Sequence, residues 1–301
     1  ICSTQSWIPV SAPISDTSVQ NPAGSTAYRQ FFREPLGVFG LVLVVILVLA
    51  AIFAPYLTDY SPNTIDIKSR LSPPSSEHWV GADQLGRDTF TRVLYGTRVA
   101  LKVAAWSISL ALLGGLLLGM IAGYGPRWLD NLLILIFDAV RSFPTIMLAL
   151  AIITLTGPSL NMVILVVVIT SIPVYARIVR TQTMSLRENE FVLAARSIGT
   201  GWFRMLYLHI LPNVIGPVLI LASMDIPVVV TIESGLSFLG LGVRPPTASW
   251  GTILADGYAY VRNTPWLLVA GGVPLILTTL GFTFMGETLR DVFDPTLKRR
   301  D

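Results

Sequence analysis

The sequence predicts an all-α membrane protein with six transmembrane helices and one large cytoplasmic loop. Of its 301 residues, 52% are hydrophobic and only 13% are charged, whereas soluble proteins carry roughly 25% charge. Three runs, 35–58, 103–126 and 263–286, each hold 24 residues without a charge, and about 20 helical residues cross a hydrocarbon core. Glycine and proline recur inside the apolar stretches, as membrane helices tolerate.

The six predicted spans follow these apolar stretches in chain order. They cover residues 36–57, 99–123, 132–156, 160–178, 213–236 and 266–287. The third and fourth spans share an uncharged run of 35 residues, which Gly157-Pro158-Ser159 divides into a helical hairpin. The fifth span is apolar except for Asp225 and Glu233.

The spans divide the chain into five segments. These are a largely disordered N-terminal tail at 1–34, the first transmembrane helix at 35–58, an extracytoplasmic loop at 59–98, a core of five helices at 99–290 that includes the loop 179–212, and a C-terminal tail at 291–301. Cytoplasmic loops retain Lys and Arg. With the N-terminus inside, the inner segments hold twelve of them and the outer segments eight, so both tails are predicted to be cytoplasmic.

Composition excludes several classes of function. The single Cys2 forms neither an internal disulfide nor a Cys-rich metal site, and His78 and His209 lie far apart without a His-Glu-x-x-His setting. No lysine follows a glycine, so the chain has no Gly-Lys-Ser/Thr loop for ATP phosphates. The net charge of +3 does not imply nucleic acid, because much of the basic excess fits a positive-inside bias. We expect no catalytic, metal or cofactor site in this chain.

The loop 179–212 has the most informative pattern in the sequence. It predicts two short helices, Glu190–Ile198 and Trp202–Ile210, separated by the flexible Gly199-Thr200-Gly201. A short helix of small residues flanked by charges at the membrane surface fits a groove on a cytoplasmic partner. The alternative is an amphipathic helix that only lies on the lipid headgroups.

This loop resembles the "EAA" signature of prokaryotic ABC importer permeases, which docks into the ATP-binding subunits. Ala194-Ala195, Gly199 and Leu211-Pro212 match the signature, whereas Leu193 replaces its usual Glu. Glu190 lies one helical turn earlier and is the candidate for the acidic role. The resemblance implies that the chain couples to ATP-binding subunits through Glu190, Ala194, Ala195, Arg196, Gly199, Leu211 and Pro212.

Further motifs resemble the C-type subunits of dipeptide and oligopeptide permeases over residues 34–300. They are Trp79–Asp88, Tyr95–Arg98, Ser234–Pro246, Trp250-Gly251 and Gly286–Pro295. The resemblance implies a type I ABC importer permease fold in a prokaryotic cell membrane. It also implies the partners: a B-type permease subunit, two ATP-binding subunits that hold ATP and magnesium, and an extracytoplasmic substrate-binding protein. The chain is then expected to be a non-enzymatic half of the pore for dipeptides, oligopeptides or similar small solutes.

Asp225 and Glu233 are the acids of the fifth span. A lone acid near a helix centre costs about 2.5–3.5 kcal/mol on insertion scales, so each should face protein or water. One hypothesis is that they line the translocation path and attract a peptide's amino group, and the alternative for Glu233 is that it caps a helix break. In an ion-coupled secondary transporter, the alternative class, both would carry the coupling ion. An intramembrane enzyme is disfavoured because Ser234 and Ser237 lack a positioned general base.

Two groups of residues are expected to stabilise helix packing. Gly115, Gly119 and Gly123 form a small-xxx-small face, which lets a helix of the partner permease or of this subunit approach closely. Asp138 and Arg141 are one helical turn apart and are expected to pair.

The outer segments 59–97 and 240–262 are predicted to form a platform on which a binding protein docks. Aromatic side chains are common anchors of such interfaces. The alternative for the aromatic residues is a position at the level of the lipid headgroups. The candidate contact residues of the platform are Trp79, Asp83, Arg87 and Trp250.

Overall fold

A computed structural model of the chain describes residues 29–293. These residues fold into helices, and no β-strand occurs between the two ends of this range. The helices are α1 Pro35–Phe53, α2 Thr89–Tyr124, α3 Arg127–Arg141, α4 Thr145–Thr156, α5 Leu160–Arg187, α6 Glu190–Ser197, α7 Trp202–Met224, α8 Ile226–Phe238, α9 Trp250–Ala259 and α10 Pro265–Phe293. Most of the two predicted tails, 1–28 and 294–301, lies outside the described residues.

Five of the helices are long and apolar enough to cross a membrane, namely α1, α2, α5, α7 and α10. The pair α3 and α4 makes a sixth span only if it crosses as one bent unit, and α8 is a shorter apolar helix. The predicted all-α membrane fold is therefore confirmed. We call the end of the bundle that carries residues 54–88 and 239–264 the upper end, and the end that carries residues 188–201 the lower end.

Helix α2 begins at Thr89 rather than at the predicted residue 99. Asp88 is its N-cap, since one carboxylate oxygen accepts hydrogen bonds from the backbone N–H and the hydroxyl of Thr91, both at 2.7 Å. Arg98, which precedes the predicted start of the span, donates to backbone carbonyls in the last turn of α1. With 36 residues, α2 is about 54 Å long, much longer than a hydrocarbon core of ~30 Å.

The third predicted span, 132–156, is wrong as a single helix. α3 and α4 meet at an angle of 84°, because the chain turns at Ser142-Phe143-Pro144. Pro144 has no N–H to continue the helical ladder, and its ring disfavours a helical conformation at Phe143. α4 has only 12 residues and is about 18 Å long.

The fifth predicted span, 213–236, is interrupted at Asp225, between α7 and α8. Pro227 lies in the first turn of α8 and offers no N–H to the last carbonyls of α7. Glu233 lies in the middle of α8. The interpretation of Glu233 as the cap of a helix break is therefore wrong, because the break is two turns earlier.

Helices α2 and α5 pack closely along much of their length. A β-carbon added at Gly119 would lie 2.7 Å from the β-carbon of Val179, and one added at Gly123 would lie 2.7 Å from the carbonyl oxygen of Arg180. A β-carbon at Gly115 would collide with α5 in the same way. These three glycines therefore pack within the subunit, which is one of the two predicted alternatives.

Two buried clusters hold the bundle together. The lower cluster joins α2 and α5 to α6 and α7, and it includes Tyr175, Val192 and Met205. The upper cluster joins α2, α4, α5, α8 and α9 around the fully buried Trp250. Both ends of the bundle are thus built on the same helix pair, α2 and α5.

Candidate functional site

The lower loop consists of α6, a tight turn and the first residues of α7. The turn ends α6 at Gly199, whose φ is +80°. The N–H of Gly199 donates to the carbonyl of Arg196 at 3.0 Å, and the N–H of Thr200 donates to the carbonyl of Ala195 at 3.2 Å. This is the Schellman pattern of a helix C-terminus, which favours glycine because other residues are strained at positive φ.

One face of α6 is seated in the lower cluster. Val192 is 1% exposed and Ala195 is 7% exposed, and both belong to the cluster that contains Met205 and Ile210 of α7. The cluster continues into α2 and α5. Since such packed interiors transmit strain, a force applied to α6 reaches these helices.

The opposite face of the loop carries exposed apolar side chains. Ile198 is 85% exposed and Phe203 is 80% exposed, and Phe191 and Leu193 are exposed as well. We call these four residues the loop patch. Exposed apolar patches rimmed by polar residues mark interaction sites, so the loop presents a surface suited to a protein partner.

The predicted coupling residues are divided between the two faces of the loop. Five are exposed, one is buried and one is half-buried. The exposed residues are Glu190, Ala194, Arg196, Gly199 and Pro212, the buried one is Ala195, and the half-buried one is Leu211. The exposed residues are accessible to a partner, whereas Ala195 packs in the lower cluster and holds the loop against the bundle.

A π-helical segment, Met205–Ile210, connects the loop to the rest of α7. The N–H of Leu211 reaches back to the fifth preceding carbonyl, one residue further than in an α-helix. Pro212 supplies no N–H, and the side-chain amide of Asn213 donates to the carbonyl of His209 at 2.7 Å. Asn213 secures the point at which the loop enters the span, and sequence reasoning missed it because its partner is a backbone carbonyl.

The two acids of the fifth span have different partners. Asp225 is half-buried and accepts a hydrogen bond from the hydroxyl of Tyr175 on α5 at 2.7 Å. Glu233 is fully buried and accepts hydrogen bonds from the hydroxyls of Ser237 at 2.7 Å and Ser234 at 3.3 Å. The two carboxylates therefore share no hydrogen-bond partner.

Glu233 belongs to a packed junction between α8 and α9. The hydroxyl of Ser237 also accepts from the N–H of Val243 at 3.4 Å. A β-carbon added at Gly251 of α9 would lie 2.7 Å from the β-carbon of Ser237. A buried carboxylate held by two hydroxyls in such a junction has the geometry of an internal anchor.

Buried ion pairs stabilise the upper end. The carboxylate of Asp83 accepts a hydrogen bond from Nε of Arg87 at 2.7 Å, and Nε of Arg92 lies 3.3 Å from it. Arg87 also approaches Asp256 of α9 at 3.9 Å. Burial raises the pKa of the Asp256 carboxyl, and a hydrogen bond from Gln84 opposes this rise. These contacts tie the upper loop to α2 and α9.

The structure corrects most of the predicted docking platform. Trp79 is 67% exposed and remains accessible to a partner. Asp83, Arg87 and Trp250 are buried, and the indole N–H of Trp250 donates to the carbonyl of Val93 at 3.1 Å. These three side chains hold the upper end together, and they are not accessible on its surface.

Acidic residues of α3 pair with arginines of α5. Arg180 donates to both carboxylate oxygens of Asp130, with Nη2 at 2.6 Å from Oδ2, and Arg177 pairs with Asp138. The predicted pair of Asp138 with Arg141 is therefore wrong. The neighbouring helix supplies the cation instead of the next turn of the same helix.

The fold and the lower loop define a class, an integral membrane protein that presents an exposed apolar loop at one end of its bundle. A family model described as "binding-protein-dependent transport system inner membrane component" matches residues 115–299. A second model, the N-terminal transmembrane domain of oligopeptide transport permease C, matches residues 24–74. The chain belongs to the binding-protein-dependent transport system inner membrane components, within the dipeptide and oligopeptide branch of the ABC importer permeases.

Curated relatives match nearly the whole chain. The dipeptide transport system permease protein DppC of Alkalihalophilus pseudofirmus is 39% identical over 290 residues, which are 96% of this chain and 95% of that protein. The di/tripeptide transport system permease protein DppC of Pseudomonas aeruginosa is 33% identical over 95% of this chain and 97% of its own. The glutathione transport system permease protein GsiD of Pectobacterium atrosepticum is 36% identical, covering 95% of each chain.

A solved structure shares the fold. An inward-facing conformation of the MetNI methionine ABC transporter has a TM-score of 0.56 at 19% sequence identity, and the match covers 67% of this chain and 97% of that one. The predicted type I ABC importer permease fold is therefore confirmed.

Proposed function

We propose that the chain is one half of the transmembrane pore of an ATP-driven importer of dipeptides, oligopeptides or similar small solutes. The observation that supports the proposal is the lower loop. Its patch is exposed, whereas its opposite face is buried in the lower cluster, which continues into the core of the bundle. Relatives named as dipeptide, di/tripeptide and glutathione permeases support the substrate class. Family membership favours this function over an ion-coupled secondary transporter.

Energy comes from two separate ATP-binding subunits, which hold ATP and magnesium and receive α6 in a groove. Closure of these subunits moves the lower loop. Because Val192 and Ala195 seat the loop in the lower cluster, α2, α5 and α7 move with it as a rigid body. The pore then alternates between inward-facing and outward-facing states, and hydrolysis on the partner subunits resets it.

The other partners are arranged at the two ends of the bundle. A B-type permease subunit completes the pore, and an extracytoplasmic substrate-binding protein docks at the upper end, where Trp79 is the exposed candidate contact. The segment 59–98 is then extracytoplasmic, and the loop 179–212 lies in the cytoplasm with both termini. The assembly is located in the inner membrane of a prokaryotic cell.

Asp225 is the better candidate for a residue of the translocation path. It is half-buried at the interruption of the fifth span, with one hydroxyl partner in Tyr175. A carboxylate that retains solvent access at this depth attracts the amino group of a peptide. Glu233 is the weaker candidate, since its carboxylate is fully buried against Ser234 and Ser237.

The proposal is tested by placing valine at two glycines of the lower loop. Gly199 has a φ of +80°, whereas Gly201 has a φ of −65°, and a β-carbon at either position would touch nothing. We expect Gly199→Val to distort the turn, because a β-branched residue is strained at positive φ. The variant should uncouple ATP hydrolysis from peptide uptake in proteoliposomes that contain the whole transporter.

Gly201→Val is the matched control and should retain coupled uptake, because its backbone conformation suits any residue. Membrane insertion of both variants is measured in parallel. Full coupling in Gly199→Val would contradict the role of the loop, and an equal loss in both variants would show that the turn geometry is not what matters.

A further inference from the structure

We infer that α3 belongs to no transmembrane span and lies in the plane of the lower membrane interface, with its apolar face against phospholipid acyl chains. The first observation is the pattern of exposure around the helix. Trp128, Leu132, Leu135 and Ile136 share one side of α3 by helical spacing, and all four are exposed.

The opposite side of α3 is fixed to the bundle. Phe137 is 2% exposed, and Asp130 and Asp138 pair with Arg180 and Arg177 of α5. These contacts set the rotation of α3 about its own axis. The apolar face therefore points away from the bundle, where no described residue covers it.

The ion pairs also give the direction of α3 relative to α5. Asp130 and Asp138 lie about 12 Å apart along α3, whereas their partners Arg180 and Arg177 lie about 4.5 Å apart along α5. In an antiparallel hairpin the two displacements would be equal. α3 therefore crosses α5 steeply, in agreement with its bend of 84° to α4, which returns along α5.

The crossing point has the depth of a membrane interface. Measured along α5, Arg177 and Arg180 lie roughly 26 and 30 Å from the upper end of that helix at Leu160. A hydrocarbon core is ~30 Å thick. A helix that crosses α5 steeply at this level lies along the lower boundary of the core.

The charges of α3 fit an interfacial position and not a spanning one. Asp130 and Asp138 are joined by Arg127 and Arg141, one at each end of the helix, so 15 residues carry four charges. Each would cost about 2.5–3.5 kcal/mol near the bilayer centre. Arg127 and Arg141 are exposed, and neither forms an ion pair within residues 29–293, which suits contact with lipid phosphates.

An interfacial α3 leaves α4 as the only helical part of the third span. An interfacial α3, paired with Arg177 and Arg180, also fixes the depth of the lower end of α5 in the membrane. The chain continues from this end into α6, so the bilayer would hold the start of the lower loop at a constant depth. This inference concerns the lipid contact of this chain and does not depend on the substrate or on the partner subunits.

The experiment places one fluorescent label at three depths in the whole transporter. With Cys2 replaced by serine, the variants Leu135→Cys, Ile46→Cys and Ile67→Cys carry the label on α3, in the middle of α1 and on the upper loop. All three positions are exposed. The complexes are reconstituted in phosphatidylcholine and phosphatidylglycerol bilayers that contain lipids brominated either near the headgroup or near the end of the acyl chain.

We expect the Leu135 label to lose at least twice as much emission to the shallow bromines as to the deep ones. The Ile46 label should show the reverse order, and the Ile67 label should be quenched by neither. Quenching of Leu135 in the same order as Ile46 would overturn the inference in favour of a spanning helix. Absence of quenching, with cross-linking of Leu135→Cys to the second permease subunit, would overturn it in favour of a protein contact.

Discussion

Asp225 and Tyr175 form the one polar contact described between the interrupted fifth span and α5. The hydroxyl donates to the carboxylate at 2.7 Å, so the pair combines a charge with a hydrogen bond. The two contributions are separable, because Asp225→Asn keeps an acceptor for the hydroxyl and Tyr175→Phe keeps the charge.

We predict that Asp225→Asn lowers peptide uptake by about tenfold, the equivalent of roughly 1.4 kcal/mol, with stimulation of ATPase activity by the binding protein retained. The reason is the loss of the negative charge that we propose to lie at the translocation path. Uptake and ATPase activity are measured in proteoliposomes of the whole transporter. Tyr175→Phe is the matched control and should keep most uptake, and normal uptake in Asp225→Asn would contradict a role for the charge.

Residue types in the sequence do not show whether a candidate contact residue is exposed or buried. Asp83, Arg87 and Trp250 have the chemistry of contact residues, yet they are buried because the upper loop folds back on α2 and α9. Tyr175 was missed since its partner lies 50 residues further along the chain. Such pairings depend on how helices meet, and one sequence carries no signal for them.

The effect of replacing a glycine depends on whether that glycine lies at a helix–helix contact, as it does where α2 packs on α5. Gly119 of α2 leaves no room for a β-carbon, whereas a β-carbon at Gly272 of α10 would touch nothing within 4 Å. The same substitution therefore has opposite consequences in the two helices.

Gly119→Ala is predicted to lower the thermal unfolding temperature of the purified transporter, because overpacking costs about 1–3 kcal/mol. Gly272→Ala should be neutral or slightly stabilising, since alanine is favoured over glycine in a helix by about 1 kcal/mol. Tryptophan fluorescence during heating in mild detergent measures both. Equal stability of the two variants would show that α5 yields to the added methyl group.

At the scale of elements, hydropathy predicted the spans because length and apolarity suffice to define them. It did not predict the start of α2 at Thr89, because Arg92 and Arg98 precede the uncharged run that begins at residue 103. Their charges are neutralised or hydrogen-bonded by Asp83 and by the end of α1. The bend between α3 and α4 was missed because Pro144 is also tolerated within membrane helices.

The assembly of the whole transporter is proposed to depend on the loop patch. Ile198 and Phe203 are its most exposed members, and buried apolar anchors dominate the free energy of protein interfaces. We predict that the double variant Ile198→Asp, Phe203→Asp lowers the amount of ATP-binding subunits that co-purify with the chain by about tenfold or more. Membrane insertion should be unchanged, because neither side chain contributes to the core.

The control for this prediction is Ile67→Asp, which places a charge on a side chain that is 79% exposed at the upper end. It should leave co-purification of the ATP-binding subunits unchanged. Equal losses in both variants would indicate general damage to the subunit. Full retention in the double variant would place the contact elsewhere on the lower end.

The length of α2 has a mechanical consequence. The helix is anchored in the lower cluster near Met120 and holds the buried ion pairs near Arg92 at its other end. Thr89 lies about 46 Å from Met120 along the helix, so a tilt of about 10° around this anchor would displace the far end by roughly 8 Å. In the proposed transport cycle, this one continuous helix would convert a small movement on one side of the membrane into the opening or sealing of the other, without a relay of side chains between them.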